Sequence, residues 1–145
     1  GPVSSPSYNG VWAMPRYALT GNHLLALQAG LNFEHKPWCS PQYHFFKETD
    51  KLALELNVYY MTKDNPYLGV AYGGFVSGAV YKLRPWVYPF VEFDPYYADE
   101  LGLTVSPGLY LALPGTAHSV SIGVPITKDG DVGLYAWYAF FISLK

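Results

Sequence analysis

Three groups of residues in this chain are of types that do chemistry. His118, Ser119 and Ser121 place an imidazole and two hydroxyls within four positions, the materials of a general base and a nucleophile. No acidic residue follows at an interval that would orient the imidazole, and neighbours in sequence do not thereby hold the hydrogen-bonded geometry a nucleophile needs. A histidine beside a turn, followed by strand serines, is the plainer reading. His35, Cys39 and His44 are soft-metal ligand types within one segment, but their spacing matches no standard zinc motif, so they read as chance decoration of a loop. His23 stands alone at a turn. The third group, Arg16, Glu34, Glu55, Asn57 and Glu92, is polar and lies inside otherwise apolar runs; these residues are the candidates to line a lumen or a ligand path. Cys39 is the only cysteine, which excludes an internal disulfide, a C-x-x-C redox pair, a cysteine zinc cage and a C-x-x-C-H haem attachment. Gly69, Gly73, Gly74 and Gly78 fit no phosphate loop, because no helix follows to present its N-terminus. No cofactor and no metal is expected.

The elements that must position these residues are strands. Turn-like clusters at 20–23, 63–66, 84–85, 98–100, 114–116 and 128–131 separate runs rich in Val, Tyr, Phe, Trp and Leu. Eight strands are predicted, at about 10–20, 24–35, 51–62, 67–83, 86–97, 101–113, 117–127 and 131–144, as one up-and-down meander in a single domain spanning 1–145. One long loop is expected at about 35–51, carrying Pro37, Trp38, Cys39, Pro41 and His44. Pro15, Pro89 and Pro125 interrupt strands, and the four glycines of the fourth strand suggest a bend or bulge.

Within the strands the alternation is regular. Leu101, Leu103, Val105, Pro107, Leu109, Leu111 and Leu113 share one face, opposite Gly102, Thr104, Ser106, Gly108, Tyr110 and Ala112. Leu25, Leu27, Ala29 and Leu31 likewise oppose Ala26, Gln28, Gly30 and Asn32, and Leu52, Leu54, Leu56 and Val58 oppose Ala53, Glu55 and Asn57. Such a two-faced sheet closes either as a soluble calycin-like barrel with its apolar face inward, or as a membrane barrel with that face turned to lipid.

Charge separates the two. Half the residues are apolar and 18% aromatic, while 14% are charged, against roughly 25% in an ordinary soluble domain. The in-strand charges Arg16, Glu34, Glu55 and Glu92 all lie opposite the apolar face, so a soluble barrel would present an almost uncharged exterior, an aggregation hazard. A membrane barrel turns the same residues into a lumen in which Arg16 is the natural partner of Glu34, Glu55 or Glu92. The reading is therefore an all-β, antiparallel, up-and-down transmembrane β-barrel of about eight strands. Trp12, Tyr67, Trp86, Tyr96, Tyr97, Trp137 and Tyr138, near strand ends, are candidates for interfacial aromatic girdles. No run approaches the roughly 18 to 20 apolar residues of a membrane helix, and no signal peptide opens the chain, the pattern of a mature protein. The net charge of −2 gives no basic face for nucleic acid.

Tyr138, Phe140, Ile142 and Leu144 alternate toward the terminus, resembling the C-terminal strand signal of bacterial outer-membrane barrels; Lys145 departs from its usual final aromatic. Pro85-Trp86-Val87-Tyr88-Pro89-Phe90-Val91-Glu92, Val105-Ser106-Pro107-Gly108-Leu109-Tyr110 and Ser121-Ile122-Gly123-Val124-Pro125-Ile126 resemble the outer-membrane barrel family associated with phenol meta-cleavage pathways, over less than half the chain. That resemblance implies a transporter of small hydrophobic molecules. The expectation is thus a non-enzymatic protein of the bacterial outer membrane, structural or active in uptake of small hydrophobic compounds. Its partners would be membrane lipid, a small hydrophobic ligand, and a larger membrane assembly or further copies of itself. The alternatives are a membrane-embedded lipid-modifying enzyme, on the model of small lipid A deacylases whose asparagine-containing motif is missing here, and a soluble calycin-like binder of an apolar ligand.

Overall fold

A chain whose strands alternate apolar with small or polar residues forms a two-faced sheet, because successive side chains point to opposite sides of the pleat. The computed structural model describes residues 11–140, and these form one antiparallel up-and-down sheet of eleven strands with no helix. The strands are β1 (Val11–Ala13), β2 (Arg16–Thr20), β3 (His23–Leu31), β4 (Pro37–Glu48), β5 (Leu52–Met61), β6 (Tyr72–Tyr81), β7 (Val87–Tyr97), β8 (Leu101–Ala112), β9 (His118–Gly123), β10 (Ile126–Thr127) and β11 (Tyr135–Phe140). Their order is β1-β3-β4-β5-β6-β7-β8-β9-β11, with β2 beside β3 and β10 beside β8.

Prolines explain the short pieces. β1 and β2 keep one register against β3, from Val11 opposite Leu31 to Ala18 opposite Leu24, and are a single track broken around Pro15. β9 and β10 keep one register against β8, with Gly123 opposite Gly108 and Ile126 opposite Val105, and break at Val124-Pro125. The sheet therefore has nine continuous tracks where the sequence suggests eight.

The extra track corrects the expected loop at 35–51, which contains β4. This strand pairs with β3 along its length, from Leu31 opposite Pro37 to His23 opposite Phe45, and with β5 from Gln42 opposite Tyr59 to Glu48 opposite Ala53. Pro41 lies one residue outside the continuous β5 ladder, between its first pair, Gln42 opposite Tyr59, and the bonds that join Cys39 to Thr62. The other strand prolines follow the same rule. Pro95 falls in the interruption of the β6–β7 ladder, Pro89 beyond its last pair, and Pro107 just outside the first β8–β9 pair.

Several boundaries also move. The expected fourth strand begins at Tyr72, because Asn65 organises the preceding residues into a turn. Its Nδ2 donates to the carbonyls of Thr62 and Val70 at 2.8 and 2.7 Å, its Oδ1 accepts from the N–H groups of Tyr67, Leu68 and Gly69, and Gly69 takes φ +75°. The second strand stops at Leu31, where Asn32 accepts from the N–H groups of Glu34 and Lys36. The last strand begins at Tyr135; Ile142, Leu144 and Lys145 lie outside the described residues.

Among the described residues the strands approach only their ladder neighbours, no second layer covers either face, and the tracks at the two edges, β1/β2 and β11, do not meet. Among the described residues the sheet is open. Burial is inverted relative to a soluble protein. Leu25 and Leu109 are each 44% exposed, and the apolar face around them alternates exposed residues such as Leu27, Leu54 and Ile122 with half-buried ones such as Leu103, Val105 and Leu111. Among the described residues the buried side chains include Gln28, Asn65, Ser106, Ser119 and a fully enclosed Ser40, against Ala26, Trp38, Met61 and Tyr72 among the apolar ones.

Candidate functional site: the polar face of the sheet

The polar face divides into two halves of different chemistry. On the first, β3, β4 and β5 bring Gln28, Ser40, Gln42, His44 and Asn57 together, because Gln28 stands opposite Ser40 and His44 opposite Asn57. Gln42 is the hub. Its Nε2 donates to Gln28 Oε1 and Ser40 Oγ at 3.3 Å, and its Oε1 pairs with His44 Nε2 at 2.8 Å and accepts from Asn57 Nδ2 at 3.5 Å. Gln28 Nε2 donates in turn to the Tyr67 hydroxyl at 3.5 Å. Small Ala26 and Ser40 leave room for these amides. Beside this network Trp38, Met61 and Tyr72 form the buried apolar cluster, with Tyr59 and Tyr96 against it.

On the second half, aromatic rings lie over glycines of the neighbouring strand. Phe90 covers Gly108, Tyr96 covers Gly102 and Tyr135 covers Gly123, each ring occupying the space a Cβ would need. Between these rings is a cleft of about 770 Å³, within the size range of small-molecule sites. Tyr88, Phe90, Tyr110, Tyr135 and Trp137 form its aromatic wall, and Tyr88 and Tyr110 pack at 5.7 Å between ring centroids. Glu55, Glu92 and Ser121 are its polar groups. Because Glu55 on β5 and Trp137 on β11 bound the same cleft, the sheet curls around its polar face.

Glu55 and Glu92 stand on either side of Gly78 in one cross-strand row. The Glu55 side chain leans across that glycine, so that a Cβ at position 78 would lie 3.1 Å from Oε1. Neither carboxylate has an ion pair among the described residues, where the salt bridges are Glu34–Lys36 and Glu48–Lys82. Asp94, also on the polar face and opposite Thr104, buries one carboxylate oxygen without a hydrogen-bond partner, as do Asn57 at Oδ1 and Trp38 at Nε1.

Of the candidates read from sequence, Arg16, Glu55, Asn57 and Glu92 all project from the polar face. The expected pairing of Arg16 with a glutamate does not form: Arg16 stands opposite Ala26 and makes no salt bridge among the described residues. Glu34 does not line this face. It lies in the exposed turn after β3 and pairs with Lys36 at 2.6 Å, whose hydrogen bond and charge hold the Glu34 carboxyl below its usual pKa while Glu34 raises that of Lys36.

The other chemical groups separate. His118 shares the apolar face with Val120 and Ile122, whereas Ser119 and Ser121 share the polar face, so alternation puts the imidazole and the hydroxyls on opposite sides of the sheet. His118 Nδ1 instead meets the Tyr138 hydroxyl, with Phe140 alongside. His23 is not a lone turn histidine: its Nδ1 meets the Tyr43 hydroxyl, with Phe45 alongside. Both clusters sit at the starts of tracks that run in the same direction, hence at the same rim. His35 occupies a turn at φ +60°, Cys39 the apolar face and His44 the polar face, and no metal-binding group forms among the described residues. Of the girdle candidates, Tyr97 and Tyr138 face the apolar side, while Trp12, Tyr96 and Trp137 project from the polar face and Tyr67 packs its ring edge against Trp38.

Sequence reading missed the cleft aromatics and the Gln42 network. Trp137 reads as a girdle residue and the others as ordinary strand residues, and only the register sets Phe90 and Tyr135 against glycines; the Gln42 network vanished with β4. No family model, curated protein or solved structure matches the chain.

Proposed function

We propose that this chain is a β-barrel protein of the bacterial outer membrane that takes up small hydrophobic compounds through the cleft on its polar face. The observation that carries the proposal is the inverted burial: many leucines, valines and aromatics of the apolar face are exposed, while Gln28, Ser40, Ser106 and Ser119 are enclosed on the polar one. In water that exterior would be an aggregation surface, while in lipid it is the solvated one. The uninterrupted strands β3 to β8 run 9 to 12 residues, close to the roughly 9 to 11 needed to cross a bilayer at a tilt. The two His-Tyr-Phe clusters at one rim of the apolar face suit an interfacial girdle.

The barrel closes at the seam between β1/β2 and β11. Nine alternating tracks leave these edges running in the same direction, so direct closure makes a parallel seam, and antiparallel closure takes one further strand or a second copy. Oxidative crosslinking of cysteines placed at Ala18 and Ala139, both on the polar face, in a Cys39→Ser background distinguishes these arrangements. The uptake half of the proposal combines the cleft with the likeness of the segments from Pro85 to Ile126 to transporters of small hydrophobic molecules. Its test is expression behind a cleavable secretory signal followed by fractionation. Recovery in the outer membrane, with a folded band that shifts on boiling, is the expected result; a soluble, monodisperse product would overturn it.

A further inference from the structure

The geometry points to an organic cation, an amine on an aromatic or alkyl body, as the ligand of the polar-face cleft. This rests on the uptake reading for its biological role, but the recognition chemistry is that of the cleft itself. Two carboxylates, Glu55 and Glu92, stand two strand spacings apart, roughly 10 Å between backbones, and among the described residues no Lys, Arg or His lines the cleft with them. Lys82, at the rim, is committed to Glu48 and the Thr49 carbonyl. Gly78 lies between the carboxylates, and its missing side chain lets Glu55 lean toward Glu92, so both acids can reach one ammonium group. A pair of like charges on a partly buried surface is unfavourable alone and is relieved by a cation between them.

The remainder of the wall fixes the body of the ligand. Phe90, Tyr110 and Trp137 present ring surface, which accepts apolar groups and attracts positive charge through its π face. An anion would meet both carboxylates, and a neutral molecule would fill the aromatic wall while leaving the acids unpaired. Cation, neutral analogue and anion should therefore bind in that order.

Calorimetric titration of the folded protein with 2-phenylethylammonium, 2-phenylethanol and 3-phenylpropionate reads this order. The ammonium compound should bind about tenfold or more tightly than the alcohol, the difference a charge-assisted contact makes, and the carboxylate weakest. The double variant Glu55→Gln and Glu92→Gln should bind amine and alcohol alike; if it does not refold, each single variant should narrow the preference. Trp137→Ala should weaken both ligands and keep the preference. Equal binding of amine and alcohol by the unaltered protein, no binding of any of the three, a preference that survives the glutamine substitutions, or an unchanged affinity in Trp137→Ala would overturn the assignment. The titration is run in detergent or in buffer, whichever fractionation requires, so the ligand class and the membrane reading can fail separately.

Discussion

The two halves of the polar face are built from the same alternation yet end in opposite states. Across β3 to β5, Gln28, Ser40, His44 and Asn57 all hydrogen-bond to Gln42, which leaves Asn57 Oδ1 as the unpartnered buried atom of the group. Across β5 to β11, rings lie over Gly108, Gly102 and Gly123, and Glu55 and Glu92 are left without an ion pair among the described residues. The difference teaches how a curled sheet divides its labour. A closed polar network holds strands in register, while aromatic-over-glycine packing keeps strands together and leaves an open, charged cleft.

Substitutions sharpen or break that comparison, and their effects should descend in a definite order. Gly108→Val forces a branched side chain into the space of the Phe90 ring and the Ile122 carbonyl, and should cost about 3 kcal/mol of unfolding free energy in urea titrations. Gln42→Leu removes the hub and strands Gln28 and His44 on a buried surface, for a loss of about 2 kcal/mol by the same measurement, with binding of 2-phenylethylammonium unchanged. Glu92→Gln should leave stability within about 1 kcal/mol of the unaltered protein, or raise it, because an unpaired charge is removed, while ligand binding suffers. A large loss of stability in Glu92→Gln, or a loss of binding in Gln42→Leu, would merge the two halves into one.

The smallest effect belongs to Glu34. Its carboxyl is held below the usual range by Lys36, so the pair favours the folded chain above the ordinary carboxylate pKa and ceases to do so as pH falls through the lowered value. Both side chains are exposed and screened by solvent. Glu34→Gln should leave the unfolding midpoint unchanged at neutral pH, and a measurable shift would mean that the turn matters to the seam or the rim.

How much was legible in the sequence follows from which signals are local. Period-two alternation exposed the two faces, and β8 reads from Leu101 to Ala112 as it folds. Glu55 and Glu92 were found because a charge inside an apolar run is conspicuous. β4 was hidden by Pro37 and Pro41, whose tolerance depends on where the β5 ladder starts, a fact of the partner strand. With β4 went the Gln42 network. The cleft was hidden for a related reason: only the register sets Phe90 against Gly108 and Tyr135 against Gly123. Arg16 was matched to a glutamate by charge alone, although cross-strand position gives it Ala26.

The central claim is that the apolar face meets lipid, and the most direct test is site-directed spin labelling along β8 in lipid vesicles, one cysteine at a time in a Cys39→Ser background. Labels at Leu103, Val105, Leu109 and Leu111 should be accessible to oxygen dissolved in the bilayer and shielded from a water-soluble nickel chelate, while labels at Thr104, Ser106, Tyr110 and Ala112 should show low oxygen access, giving a period of two. The same period with the chelate reaching the leucine and valine positions would place that face in water and contradict the membrane barrel.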